Sequence, residues 1–285
     1  MIVVTGATGQ LGRLVVQGLL ERLPAGEIVA AVRNPGKAAD LAGRGVRVRE
    51  VDYDRPETLK DAFGAGDVVL LISADEVGSR VPQHTAVVDA AAAAGVARIS
   101  YTSVLHADVS TTPVAPDHRA TEKHIAASGL PYTFLRNGWY TENYEAAITQ
   151  GAAQGTIYGS AGEGRVASAT RADYAAAAVA VLTGEGHENK VYELSGDAAW
   201  TMADLAAEVA AAAGRQVAYQ DLPLEAYEQA LVNAGLPAGA AAVIAGCDAA
   251  VAGGELADTP GDLRALIGRP ATPLRDTVAA VLGKS

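Results

Sequence analysis

Cysteine is almost missing from these 285 residues. The single Cys247 cannot close an internal disulfide, which suits a reducing compartment, and as a small apolar side chain it is expected to be buried. Aromatic residues make up only 5%, so a core has to be built from Ala, Val, Leu and Ile. Positive charge is also in deficit: 22 Lys and Arg face 33 Asp and Glu, a formal net charge of −11, and no basic run occurs. That balance speaks against a nucleic-acid surface. Alanine-rich runs such as "DYAAAAVAVL" fall short of the ~20 apolar residues a membrane helix needs. The apolar start has no basic segment before it and is broken early by glycines, so no targeting segment is read there and the cytoplasm is the expected compartment. The five histidines, His84, His106, His118, His124 and His187, form no i, i+4 pair and have no Cys partners, so no metal site is expected. Neither G-x-S-x-G nor G-x-x-x-x-G-K-[ST] occurs, which removes support for serine hydrolase and ATPase chemistry.

What is present is 49% hydrophobic residues with only 19% charged, enough for a substantial core. The first half alternates strand and helix signals. Strands are expected at 2–5, 27–33, 46–52, 67–73, 97–103 and 132–137. Helices are expected at 10–23, from Pro56 through "PETLKDAF", at 81–94 and around 117–128. Short apolar strands alternating with helices predict an α/β fold with a doubly wound parallel sheet covered on both faces. The second half has thinner strand signals, at 191–195 and 216–220, and alanine-rich helical segments at 171–183, 201–213, 224–234, 238–252 and 273–282. Thr170 with Asp173 and Thr201 with Asp204 have the spacing of capping boxes. We therefore expect a nucleotide-binding domain over 1–150, with 171–195 returning to it, and a smaller, mainly helical part over 151–285.

The chain opens "MIVVTGATGQLG". Gly6, Gly9 and Gly12 follow an apolar strand and lead into a helix, the context in which a glycine triplet holds a pyrophosphate. Gly6 allows the tight turn, Gly9 the approach of backbone to phosphate, and Gly12 close helix–strand packing, while the helix start near Gln10 offers free N–H groups and a positive dipole end. The second strand ends "AAVRNPGK". An acidic residue there would bond the ribose 2′-hydroxyl of NAD, but Arg33 occupies the place, with Lys37 nearby, and predicts NADPH. Asp52 and Tyr53 are expected beside the adenine, with a cap for the helix at Pro56 as an equal alternative for Asp52.

The runs "VTGATGQLG", "VRNP", "LLISADEVGSRVPQH", "YTSVLHAD", "TEKHIAASGLPYTFLRNGWYTENY" and "GRVASATRADYAAAA" together resemble the NmrA-like family of atypical short-chain dehydrogenases/reductases, and within it the bacterial members that reduce quinones. The likeness runs from Met1 to about Leu282, and "LRNGWYTENY" with "ASATRADY" is its specific part. It implies a Rossmann-type domain, a small C-terminal domain, an NADPH cleft between them, and reduction of quinones by hydride transfer. It also implies that Gly6, Ala7, Thr8, Gly9, Gln10 and Leu11 hold the pyrophosphate and Arg33 the 2′-phosphate. Ser73, Asp75, Glu76 and Val77 would border the cofactor. Asn137, Gly138, Trp139, Tyr140, Thr141, Glu142 and Asn143 would line the nicotinamide and acceptor space, with Arg171 from the second half. A homodimer is compatible with it.

One departure bears on the chemistry. Carbonyl-reducing members pair Tyr and Lys as Y-x-x-x-K. Here Lys123 is present, but the Tyr position holds Arg119, which is always charged and cannot donate that proton. Lys123 is the candidate for the nicotinamide ribose, and Tyr140 and Asn143 for donors to the acceptor oxygen. Lys123 as a solvated helical lysine, Trp139 and Tyr140 as core aromatics, Asn143 as a cap, and Arg171 as part of a helix's first turn are the structural alternatives. The competing function is an NADP(H)-binding redox sensor of the NmrA type without turnover.

Overall fold

A computed structural model of the chain describes residues 1–74 and 78–283. Strand and helix alternate as expected through the first half: β1 Ile2–Thr5, α1 Gln10–Leu20, β2 Ile28–Val32, α2 Ala39–Gly43, β3 Arg47–Glu50, α3 Pro56–Leu59, β4 Val68–Leu71, α4 Arg80–Ala94, β5 Arg98–Val104, α5 Ala115–Ala127 and β6 Tyr132–Asn137. Then come α6 Glu145–Gln154, β7 Thr156–Gly159, β8 Arg165–Val166, α7 Arg171–Thr183, β9 Lys190–Leu194, β10 Trp200–Thr201, α8 Met202–Ala213 and β11 Ala218–Asp221. The chain closes with α9 Leu224–Asn233, α10 Ala238–Ala252, α11 Asp262–Ile267 and α12 Leu274–Val281.

These elements form two compact units. One comprises Met1–Asp108, Ala115–Asn137 and Arg171–Glu193; the other comprises Val109–Val114, Gly138–Thr170 and the chain from Leu194 onward. The changeover falls at Asn137 rather than at residue 150, because α6 packs with β7 and α8 in the second unit.

The first unit is built on a seven-stranded sheet of order β3-β2-β1-β4-β5-β6-β9. The pairings from β3 through β6 are parallel, and the order of the first six strands is that of a Rossmann fold. β1, β2 and β5 are buried along their whole length, which is why β1 and β2 read as unbroken apolar or small-residue runs rather than alternating ones, while β5 also carries the buried Arg98 and Tyr101. On one face Val3, Val29, Val69, Leu71, Ile99 and Phe134 pack with Val87, Val88 and Ala91 of α4 and Ile125 of α5. Elsewhere in this unit α1 and α7 approach closely at Gly18, where an added Cβ would lie 3.0 Å from Val179. The buried Arg98 guanidinium donates to the carbonyls of Val181, Leu182 and Gly184, so the end of α7 has a cation on its free acceptors.

Helix α3 is shorter than expected and stops at Leu59. The chain beyond it is held in another path: Arg49 Nη1 donates to the Ala62 carbonyl, and the Asp67 carboxylate accepts the Gly64 N–H. Helix α6 was not anticipated. Its Gly151 lies so close to β7 that a Cβ there would meet Ile157 Cγ1 at 2.6 Å, so the residue that weakens the helix pattern is the one its packing requires.

In the second unit β7 pairs in parallel with β11, and β8 pairs antiparallel with β10. The Thr201–Asp204 capping box is formed at α8, each side chain accepting the other's backbone N–H. Glu255 accepts from Ser110 Oγ and from the backbone and hydroxyl of Thr111, tying the 109–114 segment to this unit.

Candidate functional site

The glycine loop sits at the C-terminal end of β1, the edge at which open α/β sheets bind ligands. Gly6 has φ +59° and its N-terminal turn is closed by the Gly9 N–H donating to the Gly6 carbonyl at 2.9 Å. Gly12 is pressed against that turn: a Cβ would stand 2.3 Å from the Gly6 oxygen and 2.8 Å from Ala7 Cα. Ala7 and Leu11 are buried, Thr8 is half-buried, and Gly6, Gly9 and Gln10 are exposed. Helix α1 begins at Gln10 with no side chain capping it. Its first N–H groups therefore lack the side-chain acceptor found at many helix starts, and an anion suits them. These residues fit a pyrophosphate.

Arg33 is exposed at the residue following β2. Its loop is held from α1: Arg13 donates to Asp40 at 2.7 Å and to the Lys37 carbonyl at 2.6 Å, and the Arg13 hydrogen bond lowers the Asp40 pKa. Asn34 accepts the Gly36 N–H and turns the chain. The site thus has a cation, and no acidic residue, at the position that reads the ribose. Arg13 was missed by sequence reasoning because its partners lie 24 and 27 residues away, with no spacing signature. Asp52 braces the turn before α3 instead of capping that helix: it accepts the Asp54 N–H at 3.1 Å and Arg55 Nε at 3.3 Å. The hydroxyl of neighbouring Tyr53 is buried, and desolvation pushes it up to about 12.

Ser73 lies two residues beyond β4, half-buried, and its N–H donates to Thr102 Oγ1 at 2.9 Å. Asp75, Glu76 and Val77 lie outside the described residues. On α5 the buried positions are Ala115, His118, Thr121, Glu122 and Ile125. Arg119 and Lys123 are both exposed, one turn apart, and Arg119 Nε donates to the Ala107 carbonyl at 2.9 Å. Asn137, the last residue of β6, is buried and its carbonyl accepts the Leu105 N–H. Arg171, half-buried, opens α7 in the same unit.

Arg136 on β6 supplies charge organisation near these strand ends. It pairs two-pronged with Glu122, Nε to Oε1 at 2.9 Å and Nη2 to Oε2 at 2.8 Å, while Nη1 reaches Glu193 at 2.7 Å and Asp108 at 2.9 Å. Burial opposes the charge of this guanidinium, but the pairs with Glu122 and Glu193 outweigh it and raise its pKa.

The remaining expected residues, Gly138 to Asn143, belong to the second unit. Gly138 N–H donates to the Leu194 carbonyl at 2.7 Å. Trp139 and Tyr140 are half-buried, and Tyr140 forms a parallel bridge with Ala169. Thr141 is buried and shares a hydrogen bond with Ser168, which also receives the Trp200 indole N–H. Glu142 is half-buried and Asn143 exposed, its N–H donating to the Tyr140 carbonyl. Tyr144, which sequence reasoning passed over, packs edge-on against Trp200 with ring centroids 5.0 Å apart. Its hydroxyl is driven to a raised pKa first by burial and then by the Asp248 carboxylate.

Among known proteins, the model of a family described as NAD(P)H-binding matches residues 6–185. The chain belongs to this family. The NAD(P)H-binding match takes in the glycine loop, Arg33, Lys123 and Arg171. The chain is 50% identical over 279 residues to quinone oxidoreductase 2 of Escherichia coli, covering 98% of each chain. It superimposes with a TM-score of 0.97 on the crystal structure of an NADPH-dependent quinone oxidoreductase from Escherichia coli complexed with NADPH, 50% identical and covering 99% of this chain and all of that one. A triphenylmethane reductase from Citrobacter complexed with NADP(H) is 44% identical, with a TM-score of 0.95 over 99% of this chain and 100% of the other.

Proposed function

We propose that the chain reduces quinones by hydride transfer from NADPH. One observation carries this reading. A glycine-lined, uncapped helix start lies in the same unit as an exposed Arg33 at the ribose-reading position, in a chain half identical to a quinone oxidoreductase.

When bound, NADPH supplies a hydride from its nicotinamide ring; the chain's residues have to place that ring and steady the charge that develops on the acceptor. The exposed N–H groups of the glycine loop and Arg33 hold the phosphates. Lys123 is proposed for the nicotinamide ribose. Arg119, exposed and permanently charged, cannot serve as the acid of an alcohol dehydrogenase. A quinone is already electrophilic, so hydrogen-bond donors at the developing oxyanion suffice, and water can deliver the proton. Tyr140 and Asn143 are proposed as those donors, and Ser73, Asn137 to Glu142 and Arg171 as the lining around them. No helix among the described residues is long and apolar enough to cross a membrane; the cytoplasm, a reducing compartment that supplies NADPH, is the proposed location.

The test mixes purified protein with NADPH and a simple benzoquinone and follows cofactor absorbance. Oxidation well above the uncatalysed rate is expected, falling on the order of 10²-fold when a donor to the oxyanion is removed, as in Tyr140→Phe. Tight NADPH binding without turnover would instead make the protein a binding module.

A further inference from the structure

β4 ends at Leu71, yet the next three backbone N–H groups are all met by side chains. Ile72 N–H donates to Thr5 Oγ1 at 3.0 Å, Ser73 N–H to Thr102 Oγ1 at 2.9 Å, and Ala74 N–H to His84 Nε2 at 3.0 Å. The three acceptors come from β1, β5 and α4, and all three are buried. Arg80 Nε takes the Ala74 carbonyl at 2.6 Å. A ladder of side chains therefore continues where strand pairing stops.

The last rung sets the state of His84. A backbone N–H can only donate, so Nε2 has to present its lone pair. The proton of the neutral ring then sits on Nδ1, which donates to Thr121 Oγ1 at 2.9 Å. Thr121 in turn donates its hydroxyl hydrogen to the Asp117 carbonyl at 2.9 Å. The bonds run in one direction, from the Ala74 N–H through the His84 ring and the Thr121 hydroxyl to the Asp117 carbonyl, with each donor meeting an acceptor. Burial, with the Arg80 charge nearby, keeps the ring neutral to about pH 4.

This ladder adjoins the phosphate loop. A Cβ on Gly6 would lie 3.7 Å from Ile72 Cβ, so the Ile72 side chain, at the head of this segment, lies against the turn that carries the first glycine. We propose that His84, in its Nδ1–H tautomer, is a positioning residue for NADPH: it holds the Ser73–Ala74 backbone in place without touching the cofactor. The proposal rests on the NADPH reading above.

Two measurements test it. In protein labelled with 15N-histidine, the His84 ring should show a pyridine-like Nε2 and a protonated Nδ1; an Nε2–H tautomer overturns the proposal without any variant. His84→Leu removes the acceptor and should raise the NADPH dissociation constant, read by fluorescence titration, on the order of tenfold, the cost of one unmet buried donor. Its KM for NADPH should rise with it, while the KM for benzoquinone changes little. His84→Gln, which can place an acceptor near the Nε2 position, should recover most of that loss. If the leucine variant does not fold, Thr121→Val frees Nδ1 of its acceptor and should weaken NADPH binding in the same direction. Folded variants that bind NADPH as tightly as the parent overturn the proposal. Parent protein that binds NADPH but reduces no quinone overturns only the proposed reaction, and parent protein that does not bind NADPH overturns both.

Discussion

Arg33 stands exposed one residue past β2, with its loop braced by Arg13 on Asp40 and on the Lys37 carbonyl. A guanidinium there matches a 2′-phosphate, and a charge-assisted bond of that kind is worth ~1.5–3 kcal/mol. Arg33→Ala should therefore weaken NADPH binding by roughly one to two orders of magnitude and leave NADH nearly unchanged. Titration with both cofactors decides it, and equal loss for the two would remove Arg33 from the phosphate site. Arg136 has a different task. It neutralises the buried Glu122 while holding Glu193 and Asp108. Arg136→Met would strand a buried carboxylate and should destabilise the chain by ~3–5 kcal/mol, seen as a shift of the urea midpoint with the m-value retained. The place of Arg33 after an apolar strand was legible in the sequence. The partners of Arg136 were not, because they come from α5, β9 and a loop that only the fold brings together.

At the scale of an element, α1 and its loop work as one piece. Gly12 is the residue that lets helix and turn close, since an added Cβ would enter the Gly6 carbonyl at 2.3 Å. Gly12→Ala must push backbone apart, so NADPH affinity should fall at least tenfold while the far-UV circular dichroism stays native; undiminished affinity would show that the loop tolerates the shift. Helix α5 shows where sequence spacing is silent. The Arg119/Lys123 pair marks the positions of an absent Y-x-x-x-K, and both are solvent-exposed. The same helix turns His118, Thr121 and Glu122 inward. Buried polar groups on a mostly polar helix leave no periodic signal, so His118 bonded to Tyr101 at 2.7 Å and Thr121 bonded to His84 emerged only from the folded chain. Helix α6 was missed for a different reason, its pattern being interrupted by Gly151, which its packing needs.

At the scale of the molecule, two buried rings link stability to pH. His84 and His118 are lowered to about 4 and about 3, in each case first by burial and then by Arg80. Unfolded, both would take protons below the ordinary histidine value near 6.5. Between those values the unfolded state binds more protons, so stability falls as pH drops below about 6.5 and is fully present above it. By pH 5 each ring should have removed ~2 kcal/mol. Urea unfolding at pH 7.5 and pH 5.0 measures this directly. A parent protein equally stable at both would show that neither ring is held neutral.

The sequence by itself determined the parallel α/β sheet, the strand–glycine–helix turn at its first strand and the place of a cation, Arg33, at the end of its second. Each is a local pattern: apolar runs of strand length, glycines at a turn, a charged residue at a strand end. The return of 171–195 to the first unit was legible, but tertiary structure alone decided that Val109–Val114 belongs to the second unit and that the changeover falls at Asn137. It also decided which face of α5 is buried and how the backbone after β4 is held. Those depend on contacts between residues far apart in the chain, such as Thr5 with Ile72, Thr102 with Ser73 and His84 with Thr121. The opening glycines are legible as a local pattern, whereas the buried ladder after β4 has no spacing to announce it.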